Sequence, residues 1–98
     1  MFRIRQTPEF AAWLDGLKDG KTRGRLVRRL ERAAGGNLGD VKPVGDGVFE
    51  MREFFGPGWR MYYTLRGETL IVMLGGGDKS SQRRDIARAI ALAKTLED

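Results

Sequence analysis

The chain has 98 residues, with 18 Lys and Arg, 13 Asp and Glu and no His, which gives a formal net charge of +5. This length fits one domain, residues 1–98, with a single core. Without Cys there is no disulfide and no thiolate for catalysis or metal binding. Without His the commonest catalytic base and transition-metal ligand are missing as well. We therefore expect no metal site and no cofactor.

The hydropathy pattern argues against a membrane protein. No apolar run approaches the roughly 20 residues that a membrane-spanning helix needs. A proline and an acid follow the first residues, where a signal peptide would have its apolar stretch. We expect a cytoplasmic protein with no membrane partner. The sequence pI near 10.1 indicates a polyanionic partner, either a nucleic acid or an acidic protein.

The first third of the chain predicts a strand and two helices. Residues 1–6 alternate weakly between apolar and basic side chains, which favours a short strand. Thr7 then supplies a helix N-cap, and Pro8 suits the first helical position. The apolar stripe of this helix consists of Phe10, Trp13, Leu14 and Leu17. A second helix begins near Lys21 and stops at Gly35-Gly36.

The second predicted helix has an apolar side and a basic side. Its apolar side consists of Leu26, Val27, Leu30, Ala33 and Ala34. At about 100° per residue, four arginines are expected on the opposite, solvent side: Arg25, Arg28, Arg29 and Arg32. Such a stripe either binds RNA phosphates with a steep salt dependence or is a solvated surface.

From Val41 the pattern becomes extended. Three strand cores are predicted at residues 48–55, 59–65 and 69–74, with glycine-containing turns between them, so they form an antiparallel meander. A final helix, capped by Asp78 or Ser80, would precede the acidic end Glu97-Asp98. Its packing face would consist of Ile86, Ala89, Ile90, Ala93 and Leu96. The predicted order is β-α-α-β-β-β-α, an α+β sandwich of helices on one sheet.

The hairpin at Gly56-Pro57-Gly58 determines which side chains share a face of this sheet. With a three-residue loop, Arg52 pairs with Tyr62, and the even-numbered residues of both strands lie on one face. That face carries Glu50, Arg52, Phe54, Arg60, Tyr62 and Thr64. The odd-numbered face is predicted to be the core side, with Glu53 as its one anomaly.

Two arginines beside a tyrosine and a carboxylate are typical of a phosphate cradle. Arginine offers charged donors that match phosphate oxygens, and tyrosine can stack on a base or donate a hydrogen bond. The alternative is a solvated face on which Arg52 pairs with Glu50 or Glu53. The run Gly75-Gly76-Gly77 could cradle phosphate ahead of the final helix, or it is a tight strand-to-helix turn. Trp13 and Trp59 are predicted to pack in the core.

Several segments, in order along nearly the whole chain, resemble the RelE/ParE toxin superfamily, and within it the HigB-like "addiction module killer protein" branch, which has phage-borne relatives. These segments are Phe10 with Trp13-Leu14, and residues 36–45, 48–52, 56–63 and 75–82. The resemblance implies a RelE-like, microbial RNase-like fold, which agrees with the element order predicted from periodicity. It also implies a type II toxin held inactive by a cognate antitoxin, a helix-turn-helix protein encoded beside it. Operator DNA would be bound only through that antitoxin.

The resemblance implies two possible targets. RelE-like and HigB-like members cleave mRNA in the ribosomal A site without a metal, whereas ParE-like members act on DNA gyrase. We expect a ribosome-dependent endoribonuclease that inhibits translation, with the ribosome and mRNA as partners. The alternatives are a non-enzymatic gyrase inhibitor and an inactive relic that binds its antitoxin.

The same resemblance implies a set of site residues. Arg52 matches a basic position of the strand before the hairpin, Arg60 matches the arginine after it, and Lys79 matches the basic residue beyond the last strand. Two positions depart from the RelE pattern. Glu50 stands where those toxins carry lysine, and Asp85 or the residue after it stands where their catalytic tyrosine would fall.

The expected reaction is attack of an RNA 2′-hydroxyl on the adjacent phosphate, which leaves a 2′,3′-cyclic end. Arg60 and Arg52 would clamp the phosphate, because preorganised donors stabilise the charge that develops on it. Lys79 would assist binding or the leaving group. The candidate bases are Glu50, Asp85 and Tyr62, with Glu50 preferred because it shares the arginine face, and with a structural ion pair as its alternative role. Further RNA contacts are predicted for Lys42, Arg83, Arg84 and the arginine stripe of the second helix.

Overall fold

The computed structural model describes residues 1–96 of the chain. Within them, five strands and three α-helices follow the order β1 Arg3–Gln6, α1 Pro8–Asp15, α2 Gly20–Ala34, β2 Val41–Gly45, β3 Val48–Arg52, β4 Arg60–Arg66, β5 Leu70–Gly77 and α3 Gln82–Thr95. A short 3-10 turn, Lys79–Ser81, precedes α3. The acidic end predicted at Glu97-Asp98 lies outside the described residues.

The strands form one sheet in the order β1-β5-β4-β3-β2. Strands β3, β4 and β5 are the predicted antiparallel meander, and β1 pairs in parallel with β5. Strand β2 is absent from the predicted order. It pairs antiparallel with β3, with Lys42 opposite Glu50. Its Pro43 cannot donate to a ladder, so β2 suits the edge position that it occupies.

Helices α1 and α2 cover the odd-numbered face of the sheet. The predicted cap of α1 is confirmed, because the Phe10 N–H donates to Thr7 Oγ1 at 3.1 Å and Pro8 takes the first helical position. The buried residues of this layer are Phe10, Leu14, Leu26, Leu30, Ala33, Met51, Met61, Tyr63, Ile71 and Met73. Trp13 and Trp59 pack against them, as predicted.

Helix α3 covers the even-numbered face. Its Ala89 and Ala93 are buried with Val48, Tyr62, Val72 and Leu74. The predicted packing face of this helix is confirmed, since Ile86, Ile90 and Leu96 contact the same cluster. The expectation that the even-numbered face forms an accessible polar cradle is wrong for Glu50, Tyr62 and Thr64, which are buried, and Arg60 of the same face is buried as well. The helices therefore lie on both faces of the sheet, because β5 and the start of β3 present apolar side chains to each.

The run Gly75-Gly76-Gly77 is the end of β5, not the tight turn predicted from its composition. A Cβ at Gly76 would collide with the Trp13 ring, and a Cβ at Gly77 would collide with the Asp85 carboxylate. Glycine is needed here because only it allows α1 and α3 to approach the strand backbone this closely. None of the helices in residues 1–96 combines the length and apolar character required to cross a membrane.

The side chain of Arg29 in α2 is buried and fully engaged. Its Nε and Nη2 donate to the Leu38 carbonyl at 3.2 and 3.0 Å, and Nη2 also donates to the Asp40 carbonyl at 2.8 Å. Its Nη1 donates to the Arg52 carbonyl at 2.8 Å and to the Glu53 carboxylate. The prediction that Arg29 lies on a solvent-exposed RNA-binding stripe is therefore wrong.

Helical geometry explains the correction. Arg29 follows Leu26 by three positions and precedes Leu30, so at about 100° per residue it lies at the edge of the buried stripe. Val27 lies further round the helix, and it is exposed. Glu53, the anomalous acid on the core face, is the partner of Arg29. The two residues that fit their predicted faces worst thus bind each other.

We expect Arg29→Met to lower the free energy of unfolding by about 3–5 kcal/mol, because it leaves three carbonyls and the Glu53 carboxylate, whose side chain is only 14% exposed, without their donor. The neighbouring exposed Arg28→Met is the matched control and should change stability by less than about 0.5 kcal/mol. Urea unfolding followed by circular dichroism measures both variants. Equal midpoints for the two would contradict the role assigned to Arg29.

Candidate functional site

The pairing of β3 with β4 places the two predicted phosphate-binding arginines opposite each other. Arg52 pairs with Arg60, and Glu50 pairs with Tyr62. The predicted pairing of Arg52 with Tyr62 is wrong by two residues, because the strands end at Arg52 and resume at Arg60, which makes residues 53–59 the connection. A shift of two preserves the side-chain alternation. Arg52 and Arg60 therefore share a face, as predicted.

The connecting segment, residues 53–59, is held by hydrogen bonds. The Glu53 N–H donates to the Trp59 carbonyl at 2.9 Å, and Arg60 Nη1 donates to the Glu53 carbonyl at 3.0 Å. Gly56 and Gly58 adopt φ angles of 58° and 82°, in the left-handed region that favours glycine. The hairpin composition thus fixes a tight loop whose backbone is tied to the start of β4.

Arg52 lies at the surface and is bound to an acid from the loop before β2. Its side chain is 32% exposed, and its Nε and Nη2 donate to the two carboxylate oxygens of Asp40 at 3.2 and 3.0 Å. Such two-point pairs fix a guanidinium in orientation. This hydrogen bonding is the main reason that the pKa of Arg52 is raised above its usual value. The partner is Asp40, and not Glu50 or Glu53 as predicted.

Arg60 is buried between an acid and the loop backbone, with 6% of its surface exposed. Its Nη1 also donates to the Trp59 carbonyl at 3.1 Å, and the Glu50 carboxylate lies 3.8 Å from its Nε. Among residues 1–96, Nε has no hydrogen-bond partner. Gln82 of α3 donates to the other Glu50 oxygen at 2.7 Å. Glu50 therefore supplies Arg60 with charge while α3 holds the carboxylate in place.

All three side chains predicted as bases are buried between α3 and the sheet: Glu50 and Tyr62 belong to the sheet, and Asp85 belongs to α3. Glu50 and Tyr62 are 1% and 0% exposed, and Asp85 is buried where it accepts a hydrogen bond from Ser81 Oγ at 2.5 Å. The Tyr62 hydroxyl makes no hydrogen bond of normal geometry within the described part of the chain. Burial, and next the negative charge of Glu50, raise the pKa of Tyr62 well above its usual value. These groups form a buried polar cluster behind Arg60.

Phe54 is a site residue that the sequence analysis placed on the arginine face but did not select. It is 75% exposed. Its ring centroid lies 5.8 Å from Arg52 Cζ and 6.0 Å from Arg60 Cζ. The available signal was its position two residues after Arg52, on the face shared by both arginines. An aromatic ring near two cations is thus presented to solvent.

A shallow cleft with a volume of about 250 Å³ opens beside this ring. We call it the loop cleft, and it is lined by Glu53, Phe54, Gly56, Pro57, Gly58, Arg60 and Lys79. Lys79 is exposed, and its backbone N–H donates to the Pro57 carbonyl at 3.4 Å. The fold thus brings Arg60 and Lys79 to one cleft, and Arg52 lies near Phe54 without lining the cleft.

The other predicted RNA-binding residues, Arg29 apart, are exposed: Arg25, Arg28, Arg32, Lys42, Arg83 and Arg84. They lie on different elements. Arg25 lies over the Phe55 ring, 3.7 Å from its centroid. Arg83 and Arg84 are in the first turn of α3, where they line a second shallow cleft. None of these residues lines the loop cleft.

The fold and this cleft define a small α+β protein with a cationic surface site. The solution structure of a conserved hypothetical protein, HP0892 from Helicobacter pylori, is similar with a TM-score of 0.50 and 17% sequence identity, covering 84% of this chain and 99% of that one. The predicted α+β fold with its antiparallel meander is confirmed.

The family follows from the sequence. The chain belongs to the family described as "Phage derived protein Gp49-like (DUF891)", whose model matches residues 12–97. An uncharacterized protein of Haemophilus influenzae is 40% identical over 94 residues, which cover 96% of this chain and 95% of that protein. The assignment to the HigB-like branch stays a prediction.

We expect a native protein that shows no tyrosinate absorbance at alkaline pH. Both tyrosines of the chain, Tyr62 and Tyr63, are buried, and burial raises the pKa of each. Their neutral forms stabilise the fold below the pKa of an unfolded tyrosine, about 10, and this contribution is lost as the pH rises above it. Tyrosinate absorbance should therefore appear only together with the loss of circular dichroism. Absorbance that rises near pH ~10 while the fold persists would contradict this burial.

Proposed function

We propose that this protein is the toxin of a type II toxin-antitoxin module and that it cleaves mRNA on the ribosome, with the RNA backbone bound at the loop cleft. The observation that carries the proposal is the placement of Arg52 directly opposite Arg60, with Lys79 lining the same cleft as Arg60. Two cations from two elements line the cleft, and a third, Arg52, pairs with Arg60 across the strands. Membership of the Gp49-like family and the RelE-like fold support the assignment as a toxin.

The reaction needs positive charge that is in place before the substrate binds. The 2′-oxygen forms a bond to phosphorus, the bond from phosphorus to the 5′-oxygen breaks, and the 5′-oxygen takes up a proton. Negative charge develops on the phosphate oxygens in between, and preorganised donors stabilise it. Arg60 suits this role because the loop carbonyls and Glu50 fix it. Lys79, on a flexible exposed side chain, binds the phosphate or offsets charge on the leaving oxygen.

In this proposal Glu50 and Tyr62 are positioning residues. Glu50 lies 3.8 Å from Arg60 and is itself held by Gln82, so it sets the place of the guanidinium without touching RNA. Tyr62, with its raised pKa, stays neutral beside it. Glu53, the one acid that lines the cleft within residues 1–96, is bound to Arg29. A base supplied by water or by ribosomal RNA fits this arrangement, and it accounts for a requirement for the ribosome.

The proposed partners follow from the charge of the surface. A net charge of +5 and a cationic cleft favour an acidic partner, and complementary charge speeds such association. We propose a cognate antitoxin, encoded in a neighbouring reading frame as a helix-turn-helix protein, that binds operator DNA. Its expression together with this chain should relieve growth arrest.

We expect Arg60→Lys to lower the rate of mRNA cleavage by about 10²-fold or more, because lysine cannot replace the fixed planar donors of arginine at the phosphate. Lys79→Gln should lower it less, because its side chain is not held in place. Primer extension on a reporter mRNA in a reconstituted translation system measures the rates. Arg3→Lys, an exposed change on β1 at the opposite edge of the sheet, is the matched control and should cleave normally.

Circular dichroism checks that each variant is folded. Growth arrest with intact transcripts, together with inhibited DNA supercoiling by gyrase, would overturn the ribonuclease and favour the ParE-like alternative. Equal cleavage rates in the wild type and in Arg60→Lys would show that the loop cleft is not where mRNA is cleaved.

A further inference from the structure

Two neighbouring phenylalanines after β3 have opposite surroundings. Phe55 packs against the core layer, and the Arg25 guanidinium covers its ring at 3.7 Å from the centroid. Phe54 is 75% exposed, and its nearest cations, Arg52 and Arg60, are 5.8 and 6.0 Å from the centroid. Both guanidiniums lie over the ring at the outer limit of a cation–π contact. Because three quarters of Phe54 remains exposed, its ring can still take a stacking partner with two cations beside it.

The backbone on both sides of this ring is anchored. Before it, the Glu53 carboxylate binds Arg29 and the Glu53 carbonyl accepts a hydrogen bond from Arg60. After it, Phe55 is fixed against the core. The exposure of Phe54 is therefore imposed by its anchored neighbours and does not require a mobile loop. An aromatic ring held in this way binds a flat partner with little loss of conformational entropy.

We propose that Phe54 is a stacking platform for an unpaired nucleobase, with Arg52 and Arg60 at the phosphates beside that base. The ligand is then single-stranded RNA, since stacking on a protein ring needs a base that is free of a duplex. This deepens the proposed function, on which it rests for RNA as the ligand, by naming the form that the substrate takes. Stacking on a phenylalanine tolerates any base, so the platform itself selects strandedness and not sequence.

The surroundings of the ring favour a nucleotide over an apolar protein surface. The cations beside it are Arg52 and Arg60, and the same cleft is lined by Lys79 and by Glu53, which is paired with Arg29. An apolar partner would desolvate the exposed Lys79 and the partly exposed Arg52 without offering them a new hydrogen bond, which is costly. The other large hydrophobic side chains exposed in the described part of the chain, Met1 and Val27, lie on other segments. No apolar patch surrounds Phe54, whereas a nucleotide offers both an aromatic face and a phosphate.

The test measures binding separately from cleavage. Fluorescence anisotropy measures the affinity of the purified protein for a short single-stranded oligoribonucleotide. Every position of this oligonucleotide carries a 2′-O-methyl group, so it cannot be cut by 2′-hydroxyl attack. Phe54→Ala should weaken binding by about five-fold to a hundred-fold, whereas Phe54→Trp should restore it to within about two-fold. Val27→Ala, an exposed apolar truncation on α2, is the matched control and should bind like the wild type.

The salt dependence separates stacking from charge. Phe54→Ala should lower the affinity equally at every salt concentration and leave the slope of log K against log[salt] unchanged, because a phenyl ring displaces no counterions. Lys79→Gln should reduce the magnitude of that slope by about 0.7, the value for one contact with a single strand. A duplex of the same sequence should bind with an affinity that Phe54→Ala does not change.

The proposed stacking role of Phe54 is overturned if Phe54→Ala binds the single strand like the wild type. It is also overturned if Phe54→Ala weakens the binding of single strand and duplex equally, or if Phe54→Leu binds the single strand as well as Phe54→Trp does. Loss of growth arrest in Phe54→Ala with unchanged oligonucleotide binding would also overturn it and would indicate a protein contact at the ring. Because the oligonucleotide cannot be cleaved, stacking can be established even if the proposed ribonuclease fails, and the reverse also holds.

Discussion

The buried guanidinium of Arg29 is the interaction on which the organisation of this site depends. It binds backbone carbonyls of the loop before β2 and of the end of β3, together with the Glu53 carboxylate. Asp40, held through its carbonyl, turns its carboxylate to Arg52. Glu53, held through its side chain, turns its carbonyl to Arg60. A buried structural cation thus positions Arg52, which lies at the surface, and Arg60, which lines the loop cleft.

Burying such a charge is unfavourable unless every donor is paired. Arg29 meets this condition because its donors are directed to four residues on two segments. These hydrogen bonds connect α2 to the loop at residues 38–40 and to the end of β3. On the other face, α3 supplies the second support, since Gln82 holds Glu50 behind Arg60. The arginine at the cleft is therefore fixed from both layers of helices, and no single element determines its place.

The side-chain pattern predicted which residues share a face, and the physical reason is parity. The β3–β4 connection is longer than the three glycine-proline-glycine residues suggest, yet its length is still odd, so Arg52 and Arg60 remained on one side. The register itself was wrong because the strands end before the last β-prone residues. Helix α3 covers Glu50 and Tyr62. The sequence held one indication of this: Val48 lies on the same face, and an apolar residue there is buried only if a second layer packs on that face.

Other features required the packed structure. Arg29 and Glu53 each looked out of place on its own predicted face, and only tertiary contact shows that they compensate each other. Phe54 appeared to be an ordinary strand residue, and its exposure results from anchored neighbours that no local pattern specifies. The contact of Arg52 with Asp40 depends on β2, a strand whose short, proline-containing sequence gave little β signal.

NMR of the arginine Nε–H groups tests most directly whether Arg52 and Arg60 bind an RNA backbone. The protein is titrated with a non-cleavable single-stranded oligoribonucleotide. The Nε–H resonances of Arg60, whose Nε has no hydrogen-bond partner among residues 1–96, and of the partly exposed Arg52 should shift on binding, while that of the buried Arg29 stays in place. Shifts confined to the α2 surface arginines, with Arg52 and Arg60 unmoved, would contradict RNA binding by these two arginines.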